Sequence, residues 1–81
     1  MMTPDEVKRL IEAGLTDCEA RVEGDGQHFQ ALIVSPDFEG RLPLARQRLV
    51  NGVLQEHFDS GQLHALSMRT WTPQQWQQRQ E

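Results

Sequence analysis

The sequence has few of the residues that support several common architectures and chemistries. Cys18 is the only cysteine, so no disulfide can form within the chain and no CxxC zinc motif is present. Tyrosine is absent, and no apolar run approaches the ~20 residues that a membrane-spanning helix needs. Basic residues number 8 against 12 acidic ones, which argues against nucleic-acid binding by overall charge. We therefore expect a cytoplasmic protein of a reducing compartment, with no membrane partner.

The length of 81 residues leaves room for one domain with one core, which we assign to residues 1–81. Hydrophobic periodicity predicts the order helix, strand, strand, helix, strand, helix. The predicted elements are a helix at residues 4–13, two strands around the turn 24–27, a longer helix from about Leu42, a third strand at 63–70, and a short helix opened by Thr72-Pro73. The fold class is α+β, with two helices on one face of a three-stranded sheet.

Alternation along the strands separates core positions from exposed ones. Ala20, Cys18 and Val22 point to the core, and His64 shares a strand face with Leu66 and Met68. The other face of that strand is assigned Leu63, Ala65, Ser67 and Arg69, and the apolar stripe of the long helix is assigned Leu42, Ala45, Leu49, Val53 and Leu54.

No arrangement of residues points to catalysis. The sequence shows no nucleophile beside a histidine, no paired-carboxylate motif and no phosphate-binding glycine loop, so we expect a protein that is not an enzyme. Judged on the residues alone, His64 is a structural histidine at a strand end, and His28 is a polar-face residue beside a turn. His57 is expected to take a surface or capping role near the negative end of a helix.

Several arginines concentrate at the start of the long helix. Arg41, Arg46 and Arg48 form a local positive cluster on an acidic chain, although the helix dipole disfavours cations at that end. The cluster is either a solvated face or a contact surface for phosphate or an acidic partner. The same two interpretations apply to Arg69, and Trp71 is either a packing residue or part of a partner surface.

Three segments in register resemble one family. These are GDGQHF at residues 24–29, VSPDFEGRLPLARQRLVNGVL at 34–54, and LHALSMRTWTPQQW at 63–76. Together they resemble the BolA family, and most closely its short subgroup associated with acid stress. The resemblance departs from the family pattern at Gln47, where many members carry histidine, and at Asp25, near the place of a ligand cysteine in one subgroup.

The resemblance implies an αββαβ fold with an added C-terminal helix, similar to class II KH domains. It implies a partner of monothiol glutaredoxins that shares a bridging [2Fe-2S] cluster with the glutaredoxin and glutathione, in iron–sulfur handling or in iron and stress regulation. His64 matches the family's histidine ligand, and His28 is the nearest candidate for a second ligand. The alternative is a DNA-binding transcriptional regulator that uses the long helix. We expect no cluster in the isolated chain, which would be a monomer or weak homodimer.

Overall fold

The computed structural model describes residues 2–79 as four α-helices, three strands and one 3₁₀ turn. The elements in chain order are α1 (Pro4–Gly14), β1 (Glu19–Gly24), β2 (His28–Val34), the 3₁₀ turn Pro36–Phe38, α2 (Pro43–Val53), α3 (Gln55–Asp59), β3 (Ala65–Trp71) and α4 (Pro73–Gln78). This order confirms the predicted α+β class, with one further helix because the long helix is divided.

The three strands form one mixed sheet in the order β1-β2-β3. β1 and β2 pair antiparallel through the predicted hairpin, whereas β2 and β3 pair in parallel. A parallel pair needs a crossover connection, which α2 and α3 provide here. As a result, β2 and β3 begin at the same end of the sheet.

Two helices begin at the predicted threonine–proline signals. The Thr3 hydroxyl accepts the Glu6 N–H at 3.2 Å, and the Glu6 carboxylate accepts the Thr3 N–H at 2.9 Å. Thr72 and Gln75 make the same reciprocal pair at the start of α4, at 3.1 and 3.0 Å. Each pair satisfies N–H groups that the first helical turn leaves without partners, so the local sequence defines both starts.

The core lies between the sheet and the helices α1 and α2. Both helices face the same side of the sheet, where Phe29 and Ile33 of β2 are almost completely buried. Burying a side chain of this size contributes about 1.5–3 kcal/mol, so this layer accounts for much of the stability. Its other fully buried apolar members are Val7, Ile11, Phe38, Val50, Leu54 and Leu63.

The structure corrects three details of the predicted pattern. The long helix is broken at Leu54, whose buried side chain stays in the apolar stripe while the backbone turns from α2 into α3. Leu42 is not in that stripe; it precedes the first turn of α2 and is 78% exposed. Leu63 is not an outer-face residue of β3, because the strand begins at Ala65 and Leu63 is buried before it.

The helices α1 and α2 approach closely where α1 ends. A Cβ atom placed on Gly14 would collide with the side chain of Val53 on α2. The hydrogen atom of glycine is therefore what lets the two helices meet at this point.

On each of the two edge strands of the sheet, a side chain is hydrogen-bonded to an outward-facing backbone group. On β1, the outward-facing N–H of Ala20 is bound by the Glu12 carboxylate of α1 at 3.0 Å. On β3, the Thr70 carbonyl accepts a hydrogen bond from the Arg46 guanidinium at 3.2 Å. Each side chain occupies a backbone group that would otherwise be open to another strand.

Candidate functional site

Hydrogen bonds within the turn of the β1–β2 hairpin hold the backbone of His28 in place. The Asp25 carboxylate accepts the N–H groups of Gln27 at 2.9 Å and His28 at 2.8 Å. These backbone bonds hold the pKa of Asp25 below its usual value. Gly26 takes a φ of 97°, a conformation that glycine adopts without strain. The turn therefore fixes the backbone from which His28 projects.

The parallel pairing brings the two predicted histidines to one end of the sheet. His28 opens β2 and is in register with Ala65, the residue after His64. The Ala65 N–H donates to the Gln27 carbonyl at 3.2 Å, which joins the start of β3 directly to the hairpin. Both imidazoles are exposed, so both can bind a group supplied from outside.

The remaining histidine and the cysteine are placed differently. His57 is half-buried, and its Nδ1 lies 2.8 Å from the Gln62 Oε1. Cys18 comes just before β1, at the end of the sheet away from the hairpin, about 20 Å from the histidine end along a strand of this length. Burial raises the pKa of the Cys18 thiol to about 11, and nearby carboxylates add to the effect. Cys18 is therefore a poor candidate to complete a site with His28 and His64.

Arg46 corrects the prediction of an exposed cluster of three arginines. It is only 8% exposed, and it points from α2 toward β3 and α4. Its Nε donates to the Arg41 carbonyl at 2.8 Å, and its Nη1 donates to the Thr70 carbonyl and the Gln75 Oε1 at 3.2 and 3.0 Å. These carbonyl and amide acceptors favour the inward position. They also explain why a cation is tolerated near the start of a helix.

The other predicted contact residues remain accessible to different extents. Arg41 and Arg48 are exposed near the start of α2, and the Arg41 Nε donates to the Asp37 carbonyl at 3.0 Å. Arg69 is exposed on the sheet face opposite α1 and α2, in register with Leu32 of β2. The predicted arginine surface at the start of α2 is thus reduced to Arg41 and Arg48.

Trp71 is mainly a packing residue at the end of β3. Its ring meets Trp76 edge to face at 5.8 Å between centroids, as expected if α4 folds back against the sheet. Arg21 of β1 also lies over Trp76, at 5.6 Å, which places α4 beside the face opposite α1 and α2. The Trp71 indole N–H is buried without a hydrogen-bond partner among residues 2–79.

Sequence reasoning missed a groove of about 550 Å³ beside the outer edge of β3. It lies between the first turn of α2 and α4, and Arg46 forms part of its wall. The signal in the sequence was the unfavourable position of Arg46 near a helix start. Its lining residues are Pro43, Arg46, Met68, Arg69, Thr70, Trp71, Gln75, Gln78 and Arg79.

In the part of the chain that is described, no helix has both the length and the apolar character needed to cross a membrane.

Comparison with known proteins gives consistent matches over most of the chain. The family model described as "BolA-like protein" matches residues 9–75. The acid stress protein IbaG of Escherichia coli (strain K12) is 33% identical over 75 residues, which are 93% of this chain and 89% of that protein. The DNA-binding transcriptional regulator BolA of Vibrio cholerae is 44% identical over 55 residues, 68% of this chain and 51% of that protein. The structure of a BolA homologue from Coxiella burnetii superposes with a TM-score of 0.87 and 42% identity, covering 96% of this chain and all of the other.

Proposed function

The chain belongs to the BolA-like protein family, and on that premise we propose that it is a non-enzymatic partner of monothiol glutaredoxins that shares a bridging [2Fe-2S] cluster with them. The observation that carries the proposal is the placement of His28 and His64, which are exposed and lie at the starts of neighbouring strands. Neutral imidazole is a good ligand for iron, and histidine can replace cysteine on a [2Fe-2S] centre. The proposed role is iron–sulfur handling or stress regulation, and the name of the E. coli relative supports the latter.

The number of available ligands favours a shared cluster. A [2Fe-2S] cluster takes four ligands. Among residues 2–79, no group of three or more His, Cys, Asp and Glu side chains is placed to hold a metal ion. The end of the sheet where β2 and β3 begin can offer His64 as a ligand, with His28 as a second contact. The remaining ligands would come from the glutaredoxin cysteine and glutathione.

The test is to mix the protein with a cluster-loaded monothiol glutaredoxin and follow visible absorption and circular dichroism. We expect the spectrum to change on mixing and the change to be lost in His64→Ala. His57→Ala is the matched control, because the His57 imidazole is half-buried and is already engaged with Gln62. A spectrum that stays unchanged on mixing, or that changes equally with His64→Ala, contradicts the proposal.

A second candidate function is DNA binding, favoured by the regulator name of the V. cholerae relative and by the exposed Arg41 and Arg48. Two phosphate contacts predict a slope of about −2 for log affinity against log salt concentration. Arg41→Ala combined with Arg48→Ala should remove the binding and its salt dependence. Affinity that is insensitive to salt and to both changes argues against this function.

A further inference from the structure

We infer that the outer edge of β3 receives an extended acidic segment of another protein as a fourth strand. The inference is independent of the cluster proposal, because none of its contacts involves a histidine. It depends on three features of residues 2–79: backbone groups that are unpaired within this range, a positively charged groove beside them, and a buried arginine that has no counter-ion in the same range.

The unpaired backbone groups follow from the hydrogen-bond pattern of β3. The Ala65 N–H bonds to β2, and the Trp71 carbonyl accepts the Ser35 N–H just beyond it. Successive residues of a strand direct their backbone groups to opposite sides, so the odd-numbered residues of β3 face β2. Leu66 and Met68 therefore direct their N–H and C=O groups outward. Within residues 2–79, neither receives a backbone bond from a loop, a turn or another helix.

Apart from the Arg46 contact at Thr70, the edge lacks the usual features that prevent strand addition. β3 is seven residues long and has no proline or lysine. Arg46 occupies the Thr70 carbonyl near the end of the strand, but this leaves the stretch from Leu66 to Met68 open. The part of β3 before Thr70 leaves room for an added strand of about five residues.

The charge around the groove selects an acidic occupant. The chain carries a formal net charge of −4, yet the groove lining among the described residues includes arginines and no Asp or Glu. Arg69 is exposed there, and within residues 2–79 its guanidinium makes no hydrogen bond or ion pair. Arg46 is buried, and each of its described hydrogen bonds goes to a carbonyl or amide oxygen. A buried cation is costly without a counter-ion, so a carboxylate entering the groove would be attracted to both arginines.

The shape of the groove also favours alternating chemistry in the bound segment. Met68 offers apolar contact on one face of β3, while Arg69 offers charge on the other. Side chains of an extended segment alternate in direction, so a segment that alternates acidic and apolar residues matches both requirements.

The test uses a fluorescein-labelled nine-residue peptide that alternates glutamate and valine, with the full chain and fluorescence anisotropy as the readout. We expect binding that weakens about 10-fold with Arg69→Ser, since a charge-assisted contact is lost. The matched control is Arg48→Ser, an exposed arginine outside the groove, which should bind normally. The same peptide with lysine in place of glutamate should not bind.

Two further measurements separate strand addition from general attraction between charges. Hydrogen exchange of the Leu66 and Met68 N–H groups should slow on binding, while that of Ser67, already bonded to β2, should change little. Peptides N-methylated at only odd or only even positions should differ, because one set of N–H groups faces the sheet and the other faces solvent.

Four outcomes would overturn the inference. The first is that the lysine peptide binds as tightly as the glutamate peptide, and the second is that the two methylated peptides bind equally well. The third is that an oligothymidine of matched charge protects the Leu66 and Met68 N–H groups as the glutamate peptide does. The fourth is that self-association protects these N–H groups without any peptide. The last result would identify a second copy of the chain as the occupant.

Discussion

Replacing Arg46 with methionine should destabilise the fold although it removes a buried charge. Arg46→Met keeps an unbranched apolar stem beside Phe38, over which the guanidinium lies at 5.8 Å, but it deletes the hydrogen bonds. Three bonds from a charged donor are worth about 1.5–3 kcal/mol each before other effects. Removal of a buried charge that no carboxylate of residues 2–79 pairs with offsets part of this loss. We expect a net loss of about 2–4 kcal/mol in the free energy of unfolding, a large share of the stability of so small a domain.

Urea unfolding followed by tryptophan fluorescence measures this loss directly. Both tryptophans report on the region, since Trp71 and Trp76 pack together where the Arg46 bonds converge. Arg48→Met is the control, and a change at this exposed site should stay within about 0.5 kcal/mol. Arg46→Lys should show most of the loss in the free energy of unfolding that Arg46→Met shows, because an ammonium group cannot reproduce the planar fork of donors. The reasoning is refuted if Arg46→Met costs no more than Arg48→Met.

Three further changes probe the hairpin, the helix crossing and the cysteine. Asp25→Ala should speed amide exchange in the turn that holds His28. In the unmodified protein the backbone bonds lower the pKa of Asp25. The stabilisation that the Asp25 carboxylate gives the turn should therefore be complete above about pH 4, and it should be lost as the pH falls through the lowered pKa of the folded state. Gly14→Ala should lower the free energy of unfolding by about 1–3 kcal/mol, since the new methyl group meets Val53. Cys18 should react slowly with iodoacetamide at neutral pH, because a pKa of about 11 against the ordinary 9.0 leaves about 100-fold less thiolate.

Each of these predictions has its own control. Asp25→Asn keeps an oxygen acceptor and should restore much of the turn, and equal exchange in both Asp25 variants would contradict the hairpin argument. Combining Gly14→Ala with Val53→Ala should recover stability relative to Gly14→Ala alone. Urea should accelerate alkylation of Cys18, and equal rates in the folded and unfolded protein would disprove its protection.

The helix starts and the hairpin were predictable from the sequence, because residues only a few positions apart determine them. Thr3 and Thr72 begin helices because a hydroxyl, a proline and a Glu or Gln three residues later act within one turn. The hairpin followed in the same way from strand alternation and from the turn around Asp25. Each of these elements depends on neighbours a few residues apart, which a single sequence displays.

Features that depend on distant contacts were not predictable in the same way. The inward position of Arg46 depends on carbonyl and amide groups of β3 and α4, which are far away in sequence. The break at Leu54 depends on a core that holds the side chain while the backbone turns. The resemblance predicted His64 as a ligand, but only the register of β2 with β3 places it beside His28.

The two side chains that are hydrogen-bonded to the sheet edges affect how copies of the chain can associate. A sheet with both edges open can add its own β1 to the β3 of the next molecule, and such head-to-tail contacts extend into filaments. Here the Glu12 carboxylate occupies the Ala20 N–H on one edge, while the Arg46 guanidinium occupies the Thr70 carbonyl on the other. An acidic side chain blocks a donor and a basic one blocks an acceptor, so this β1-to-β3 contact is disfavoured from both sides. The protein should therefore resist fibre formation at concentrations where Glu12→Ala begins to polymerise.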